Sequence, residues 1–94
     1  MIVVRTTFNA KPGMAGKLAA QAKDFGAVAK MRNLRVMTDL TGDFNQVILE
    51  HEVESMAELE EFLARVMSDP VIQEKRKGFT ELWMTGKREL FRLM

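Results

Sequence analysis

The chain has 94 residues, of which 47% are hydrophobic and 29% charged, and its formal net charge is +1. A chain of this size and composition forms one globular domain, residues 1–94, with a single small core. The nearly balanced charge offers no basic field, so we expect no nucleic-acid partner. The absence of cysteine excludes disulfide bonds, thiolate catalysis and cysteine-based metal sites.

No segment has the pattern of a targeting or membrane-spanning element. The opening residues, MIVVR, are too short for the apolar region of a signal peptide, and no apolar run approaches a membrane span. We therefore expect a cytoplasmic protein with no membrane partner.

The first two predicted elements are a strand and a helix. Residues 2–8 alternate between two faces, which is typical of a strand. Pro12 suits the first turn of a helix. The helix is marked by apolar residues three or four positions apart: Leu18, Ala22, Phe25 and Ala29. Gly16 and Gly26 weaken a helix, so we interpret both as points of close packing on a sheet.

Residues 34–53 alternate on both sides of the turn at residues 41–44, which predicts a β-hairpin. One register matches the faces of the two arms, and it pairs Leu40 with Asn45, Met37 with Ile48, and Val36 with Leu49. A slip of one residue would reverse every face, so the agreement supports this register.

A second helix, a short third helix and a last strand complete the chain. Residues 55–58, SMAE, form a capping box that opens the second helix. Its apolar stripe is Leu59, Phe62, Leu63, Val66 and Met67. Asp69-Pro70 ends this helix and begins a third that runs to about Thr80. Residues 87–93 alternate as a strand, and residues 81–86 fit either neighbour.

The order β-α-β-β-α-(α)-β predicts an α+β, ferredoxin-like fold, with both long helices on one face of a four-stranded antiparallel sheet. The residues that would face the helices are Ile2, Val4, Phe8, Leu34, Val36, Leu40, Val47, Leu49 and Val53.

The opposite face of the sheet has no helix left to cover it. Its residues are Val3, Arg5, Thr7, Arg35, Met37, Asp39, Gln46, Ile48, Glu50 and Glu52. This set is too apolar for a solvent face and too charged for a plain core. We therefore expect two copies to pack sheet to sheet, as a homodimer that encloses a partly polar chamber.

Three stretches, VVRTTFNAKPG, GDFNQVILEHEVES and DPVIQEK, resemble the NIPSNAP family in their order and spacing. The most specific pieces are Arg5 with Pro12-Gly13, Gly42 with Asn45-Gln46-Val47, and Asp69-Pro70. The resemblance spans Val4 to Leu93. It implies a ferredoxin-like unit that pairs into a dimeric α/β barrel, in the group that includes antibiotic-biosynthesis-type monooxygenases. Relatives often have a histidine followed by aromatic residues where this chain has Leu49, His51 and Val53.

The strongest candidate site is a charged group on the uncovered face, flanked by Met37 and Ile48. Hairpin register sets Arg35 opposite Glu50, and the first strand brings Arg5 near the same row. Two interpretations remain open. The three residues form an ion-pair network inside the dimer, or the arginines hold an anionic ligand in the chamber.

Other candidates are interpreted as structural. His51, the only histidine, falls on the helix-facing side by strand parity, which favours a structural role over catalysis. Trp83 is interpreted as core or interface filler, and Lys75-Arg76-Lys77 as a solvated helix face. No metal site and no cofactor are predicted.

Two functions are compatible with these features. The first is a non-catalytic homodimer that binds a small ligand, for which an anion is one option, or a protein partner. The second is a cofactor-independent monooxygenase or isomerase that acts in the chamber. The absence of tyrosine and the placement of His51 favour the first.

Overall fold

The computed structural model describes all residues, 1–94. Its elements in chain order are β1 Ile2–Ala10, α1 Ala15–Val28, β2 Arg32–Thr38, β3 Gln46–Val53, α2 Met56–Ser68, α3 Pro70–Arg76, a short 3₁₀ helix Phe79–Glu81, and β4 Trp83–Arg92. The strands form one antiparallel sheet in the order β2-β3-β1-β4. The predicted α+β, ferredoxin-like fold is confirmed.

The hairpin has the predicted register but a longer connection. Met37 pairs with Ile48, as expected. The ladder stops at Thr38 and Gln46, so the expected pairing at Leu40 does not form, and Leu40 is 98% exposed. The reason is local, because the side chain of Asp39 accepts a hydrogen bond from the Gln46 backbone at 2.8 Å and turns the chain out of the sheet.

The first helix begins later than predicted. Pro12 lies in a turn that closes with a hydrogen bond from Met14 N–H to the Lys11 carbonyl at 2.9 Å. Gly13 has φ +80°, which a helix does not allow, so α1 starts only at Ala15. The expectation that Pro12 sits in the first turn of the helix is wrong.

Close packing of α1 on the sheet is confirmed at one of its two glycines. A Cβ atom on Gly26 would lie 2.6 Å from Leu34 Cδ2, so a larger residue would require the Leu34 side chain to move. Gly16 has open space around it, and the same interpretation is wrong there. Helix α1 therefore packs on β2 and β3 rather than on β4 at the edge of the sheet.

The second and third helices begin where predicted. Ser55 Oγ accepts from Glu58 N–H at 3.2 Å, and Asp69 Oδ1 accepts from Val71 N–H at 2.9 Å. Met67 is exposed rather than part of the buried stripe. Helix α3 stops at Arg76, short of Thr80, because Gly78 adopts φ +80°.

The core lies entirely between the helices and one face of the sheet. Its best-buried side chains are Val4, Leu18, Val47 and Ile72. The chain is a slab of 36 × 34 × 19 Å, and its thin dimension matches one helix layer on one sheet, each about 10 Å thick. The second face of the sheet is therefore uncovered in a single chain. None of the helices is long and apolar enough to cross a membrane.

Candidate functional site

Charged side chains cross the uncovered face in a single row. Arg35, Glu50, Arg5 and Glu89 are neighbours on β2, β3, β1 and β4, so the sign of the charge alternates across the sheet. We call these four residues the charged row. The structure brings together Arg5, Arg35 and Glu50 as the register predicted. Glu89 was missed because sequence alternation in β4 does not reveal its register against β1.

Glu50 is the centre of the charged row. Its carboxylate accepts from Arg5 Nε at 2.6 Å and from Arg35 Nη2 at 2.5 Å. Glu50 is 3% exposed, whereas the arginine side chains are 41% and 61% exposed. Burial acts to raise the pKa of Glu50, but the hydrogen bonds and charges of the two arginines outweigh it and hold the pKa below its ordinary 4.5. Glu50 is therefore ionised at neutral pH.

The surroundings of the charged row are apolar, but a single chain forms no cavity there. The Arg5 guanidinium lies 5.0 Å from the centre of the Phe91 ring. Met37 is exposed and Ile48 half-buried beside it. None of the three principal cavities of the chain is lined by Arg5, Arg35, Glu50, Met37 or Ile48. A chamber on this face requires a second copy, and it stays a prediction.

A cavity of about 360 Å³ lies on the other side, between the sheet and the three helices. We call it the helix-side cavity. Most of its lining is apolar, with Leu49 from β3 below and Phe62 from α2 above. Two features leave this space open. Helix α1 packs over β2 and β3 rather than over β4 and has the small Ala22 between Leu18 and Phe25 in the cavity wall. Gly86 on β4 has no side chain, and a Cβ atom there would lie 3.2 Å from Phe8.

One end of the helix-side cavity is aromatic, and one of its residues carries an unpaired donor. The Trp83 ring centre lies 5.2 Å from that of Phe8 and 5.8 Å from that of Phe79. Trp83 Nε1 is the only side-chain polar atom in the chain that is itself fully buried and has no hydrogen-bond partner. An indole N–H can only donate, and leaving such a group unpaired costs about 1–3 kcal/mol. An acceptor inside the cavity would offset this cost.

His51 also lines the helix-side cavity, so its predicted helix-facing orientation is correct. It is 4% exposed, and its ring centre lies 5.0 Å from that of Phe62. Its ring nitrogens make no hydrogen bond within the chain. Burial lowers the pKa of His51 below its ordinary 6.5, and the positive charge of Arg88 lowers it further. The imidazole is therefore neutral at neutral pH.

The charged residues that line the helix-side cavity are all basic. They are Lys75, Arg76, Lys87 and Arg88. Arg76 lies between two aromatic rings, 5.8 Å from the centre of Phe25 and 5.0 Å from that of Phe79. The expectation of a solvated face is therefore wrong for Arg76, which is half-buried, whereas Lys77 is exposed. The side chain of Lys87 lies on the uncovered face, where it pairs with Glu89 at 3.7 Å, and the other three have no acidic partner.

Comparison with known proteins identifies the fold. No protein-family model and no curated protein matches the sequence. Among solved structures, an uncharacterised NIPSNAP domain protein from Burkholderia xenovorans is 16% identical, with a TM-score of 0.86 over 100% of this chain and 95% of that one. A NIPSNAP-like domain protein from the same organism is 21% identical, with a TM-score of 0.84 over 99% of this chain and 84% of that one. The chain has a NIPSNAP-like fold.

A third structure supports the same conclusion and limits it. A NIPSNAP family protein of unknown function from Agrobacterium tumefaciens is 19% identical, with a TM-score of 0.85 over 97% of this chain and 86% of that one. The resemblance noted in the sequence motifs is therefore confirmed for the fold. Identities this low transfer the NIPSNAP-like architecture but no activity.

Within the NIPSNAP-like fold, sequence reasoning missed the helix-side cavity. His51 and Trp83 are 32 positions apart in the chain, and both line this cavity. The available signals were small residues at inward positions, Ala22 and Gly86. These two small residues indicate a cavity only when it is known that α1 does not pack over β4. No group of three or more His, Cys, Asp or Glu side chains is placed to hold a metal ion.

Proposed function

We propose that this protein is a homodimer in which each chain binds a small organic molecule in the helix-side cavity. The observation that carries the proposal is a mainly apolar space of about 360 Å³ whose wall includes Trp83, a residue with an unpaired N–H. Ligand sites are typically apolar spaces of about 300–1,000 Å³ with a few placed polar groups. A bound molecule would fill the apolar volume and supply the missing acceptor.

The uncovered face supports the dimer. Met37 and Phe91 are exposed there beside the buried carboxylate of Glu50, and a second copy packed sheet to sheet would cover these apolar side chains. Arg5 and Arg35 each retain guanidinium N–H groups that Glu50 does not bind. These groups would face the chamber between the copies, which makes the chamber a second candidate site for an anion.

Light scattering at micromolar concentration tests the dimer. We expect twice the mass of one chain. Replacing Ile48 with Asp should then give a monomer, because it places a charge in the apolar part of the interface. The matched substitution Ala20→Asp, at an exposed position of α1 outside the proposed interface, should leave the mass unchanged. A monomer mass for the unaltered protein would contradict the sheet-to-sheet packing.

The single tryptophan gives a direct test of ligand binding. In a ¹⁵N-labelled sample the indole N–H produces one resonance, and we expect titration with acetophenone, a neutral aromatic acceptor, to shift it. Ala22→Leu should fill the cavity and abolish the shift. Ala20→Leu, on the exposed side of the same helix, should preserve it. An indole resonance that does not move in the unaltered protein at millimolar ligand would overturn the proposal.

One observation favours catalysis as a second candidate function. His51 presents a neutral imidazole without a protein partner to the helix-side cavity, where it could take a proton from a carbon acid. A cofactor-independent isomerase or monooxygenase would use such a base. Incubation with a bound carbon acid in D₂O should then introduce deuterium, and His51→Gln should abolish the exchange without abolishing binding. Equal exchange in both proteins would exclude His51 as the base.

A further inference from the structure

We propose that the helix-side cavity selects a small carboxylic acid, whose apolar body fills the cavity and whose carboxylate binds at the aromatic end beside Phe79, between Arg76 and the Trp83 N–H. This inference rests on the proposed ligand-binding function and names the chemical class of its ligand. It is independent of the arginines on the opposite face of the sheet.

The charged groups of the cavity and the unpaired indole are all hydrogen-bond donors. The Trp83 indole and the side chains of Lys75, Arg76 and Arg88 carry N–H groups and no acceptor. No aspartate or glutamate lines the cavity, although the chain contains 13 of them. A cationic ligand would therefore find no counter-charge, whereas an anion would meet several donors.

The cations near the cavity are also free to bind an anion. The ion pairs of the chain involve Arg5, Arg32, Arg35 and Lys87, and none involves Lys75, Arg76 or Arg88. A guanidinium that already held a carboxylate would have to exchange it for a ligand. Arg76 and Arg88 have no such competitor, so the full interaction is available for binding.

Arg76 is held in place before any ligand arrives. Its guanidinium lies 5.0 Å from the centre of the Phe79 ring and 5.8 Å from that of Phe25, a cation–π arrangement. The backbone around it is also anchored, because the Gln21 amide donates to the carbonyls of Lys75 and Lys77 at 3.0 Å each. A pre-positioned guanidinium loses little conformational freedom on binding.

Phe79 brings Arg76 and Trp83 to one place. Arg76 stacks against this ring, and the Trp83 ring centre lies 5.8 Å from its centre. A carboxylate at this end of the cavity therefore has a charged donor and an unpaired neutral donor as neighbours. Arg88 lies on β4 beside Thr6 of β1 and adds a positive charge on the sheet side of the cavity.

The test compares two ligands of the same shape that differ in charge. We would titrate the ¹⁵N-labelled protein with 2-naphthoate and with the neutral 2-(hydroxymethyl)naphthalene and follow the indole N–H. A charge-assisted hydrogen bond should favour the acid by about tenfold or more. Arg76→Gln should remove most of this preference. Arg88→Gln should reduce it, and Lys77→Gln, an exposed neighbour outside the cavity, should leave it intact.

The outcomes separate this inference from the function on which it rests. If both naphthalenes bind equally, or if the alcohol binds better, the acid-selective site is wrong while ligand binding stands. If neither moves the indole resonance, the proposed function itself fails. If the Arg76→Gln protein does not fold, Arg88→Gln serves as the second variant. A loss of the preference for 2-naphthoate at high salt is an independent test. A preference that survives both substitutions would overturn the assignment of the arginines.

Discussion

The two faces of the sheet differ in whether their charged side chains have partners within the chain. On the uncovered face, Glu50 binds both Arg5 and Arg35, so the buried charge is compensated within the chain. In the helix-side cavity, Arg76 has no acidic partner and the Trp83 N–H has no acceptor. A compensated network can stabilise a fold or an interface without any ligand. Unpaired donors beside an apolar cavity instead reduce the stability of the empty chain and favour a ligand that supplies acceptors.

Strand β3 contributes to both regions because side chains alternate along a strand. Glu50 points to the uncovered face, and its neighbour His51 points into the helix-side cavity. A single strand thus carries the centre of the proposed interface and a wall of the proposed ligand site. We therefore expect separable effects at these adjacent positions. Substitutions of Glu50 should alter stability and assembly, and substitutions of His51 should alter what a ligand contacts in the helix-side cavity.

The largest effect is expected for Glu50→Ala. The change leaves Arg5 and Arg35 without their shared partner and removes a side chain that is 3% exposed. Breaking a buried ion pair costs about 3–5 kcal/mol. Both guanidiniums are partly solvated, so we expect about 2–3 kcal/mol in urea melts. Glu89→Ala, in the same row but paired only at 3.7 Å with an exposed lysine, should cost less than about 1 kcal/mol. Equal losses would show that Glu50 is not the centre of the row.

Trp83→Phe should have a smaller effect, of the opposite sign. Phenylalanine preserves most of the aromatic contact with Phe8 and Phe79 and removes the unpaired N–H. We expect the ligand-free protein to gain up to about 1 kcal/mol, since the desolvation penalty of the donor disappears. Binding of 2-naphthoate, followed by calorimetry, should weaken. A large loss of stability would mean that the indole N–H has a partner in the folded chain, such as a bound water molecule.

The contrast between the faces also explains what the sequence could reveal. The charged row depends on strand alternation and hairpin register, and these local features predicted Arg35 opposite Glu50. The helix-side cavity depends on where α1 lies over the sheet, and the close contact of Gly26 with Leu34 is part of its packing on β2. Spacing identifies a helical face but not its lateral position on a sheet. His51 was therefore assigned to the correct face without any sign that this face encloses a cavity.

Two residues mark the limits of extrapolating a periodic pattern. Leu40 continues the alternation of β2, but the hydrogen bond between Asp39 and Gln46 ends the ladder before it. Met67 continues the stripe of α2, but it lies in the last turn of the helix, where its sulfur faces Arg76 Nη1 at 3.9 Å. Both errors lie at the ends of elements, where side-chain hydrogen bonds and neighbouring helices override the period.

The smallest expected effects are changes of stability with pH, and they distinguish the two faces by the pH at which they occur. His51 and Glu50 both have folded-state pKa values below their ordinary 6.5 and 4.5. The unfolded chain therefore binds these protons first, and stability falls as pH falls. The loss from His51 should begin below about pH 6.5 and end at its folded pKa. The loss from Glu50 should begin only below about pH 4.5.

Single substitutions should remove these two transitions one at a time. His51→Gln should abolish the loss of stability between neutral pH and about pH 5 in urea melts and leave the more acidic loss in place. Glu50→Gln should do the reverse. If ligand occupies the helix-side cavity, saturating 2-naphthoate should alter only the transition that depends on His51, because this imidazole lines the same cavity, whereas Glu50 lies on the opposite face of the sheet. If 2-naphthoate instead alters the transition that depends on Glu50, the acid binds between the arginines of the uncovered face. The assignment of the two regions would then be reversed.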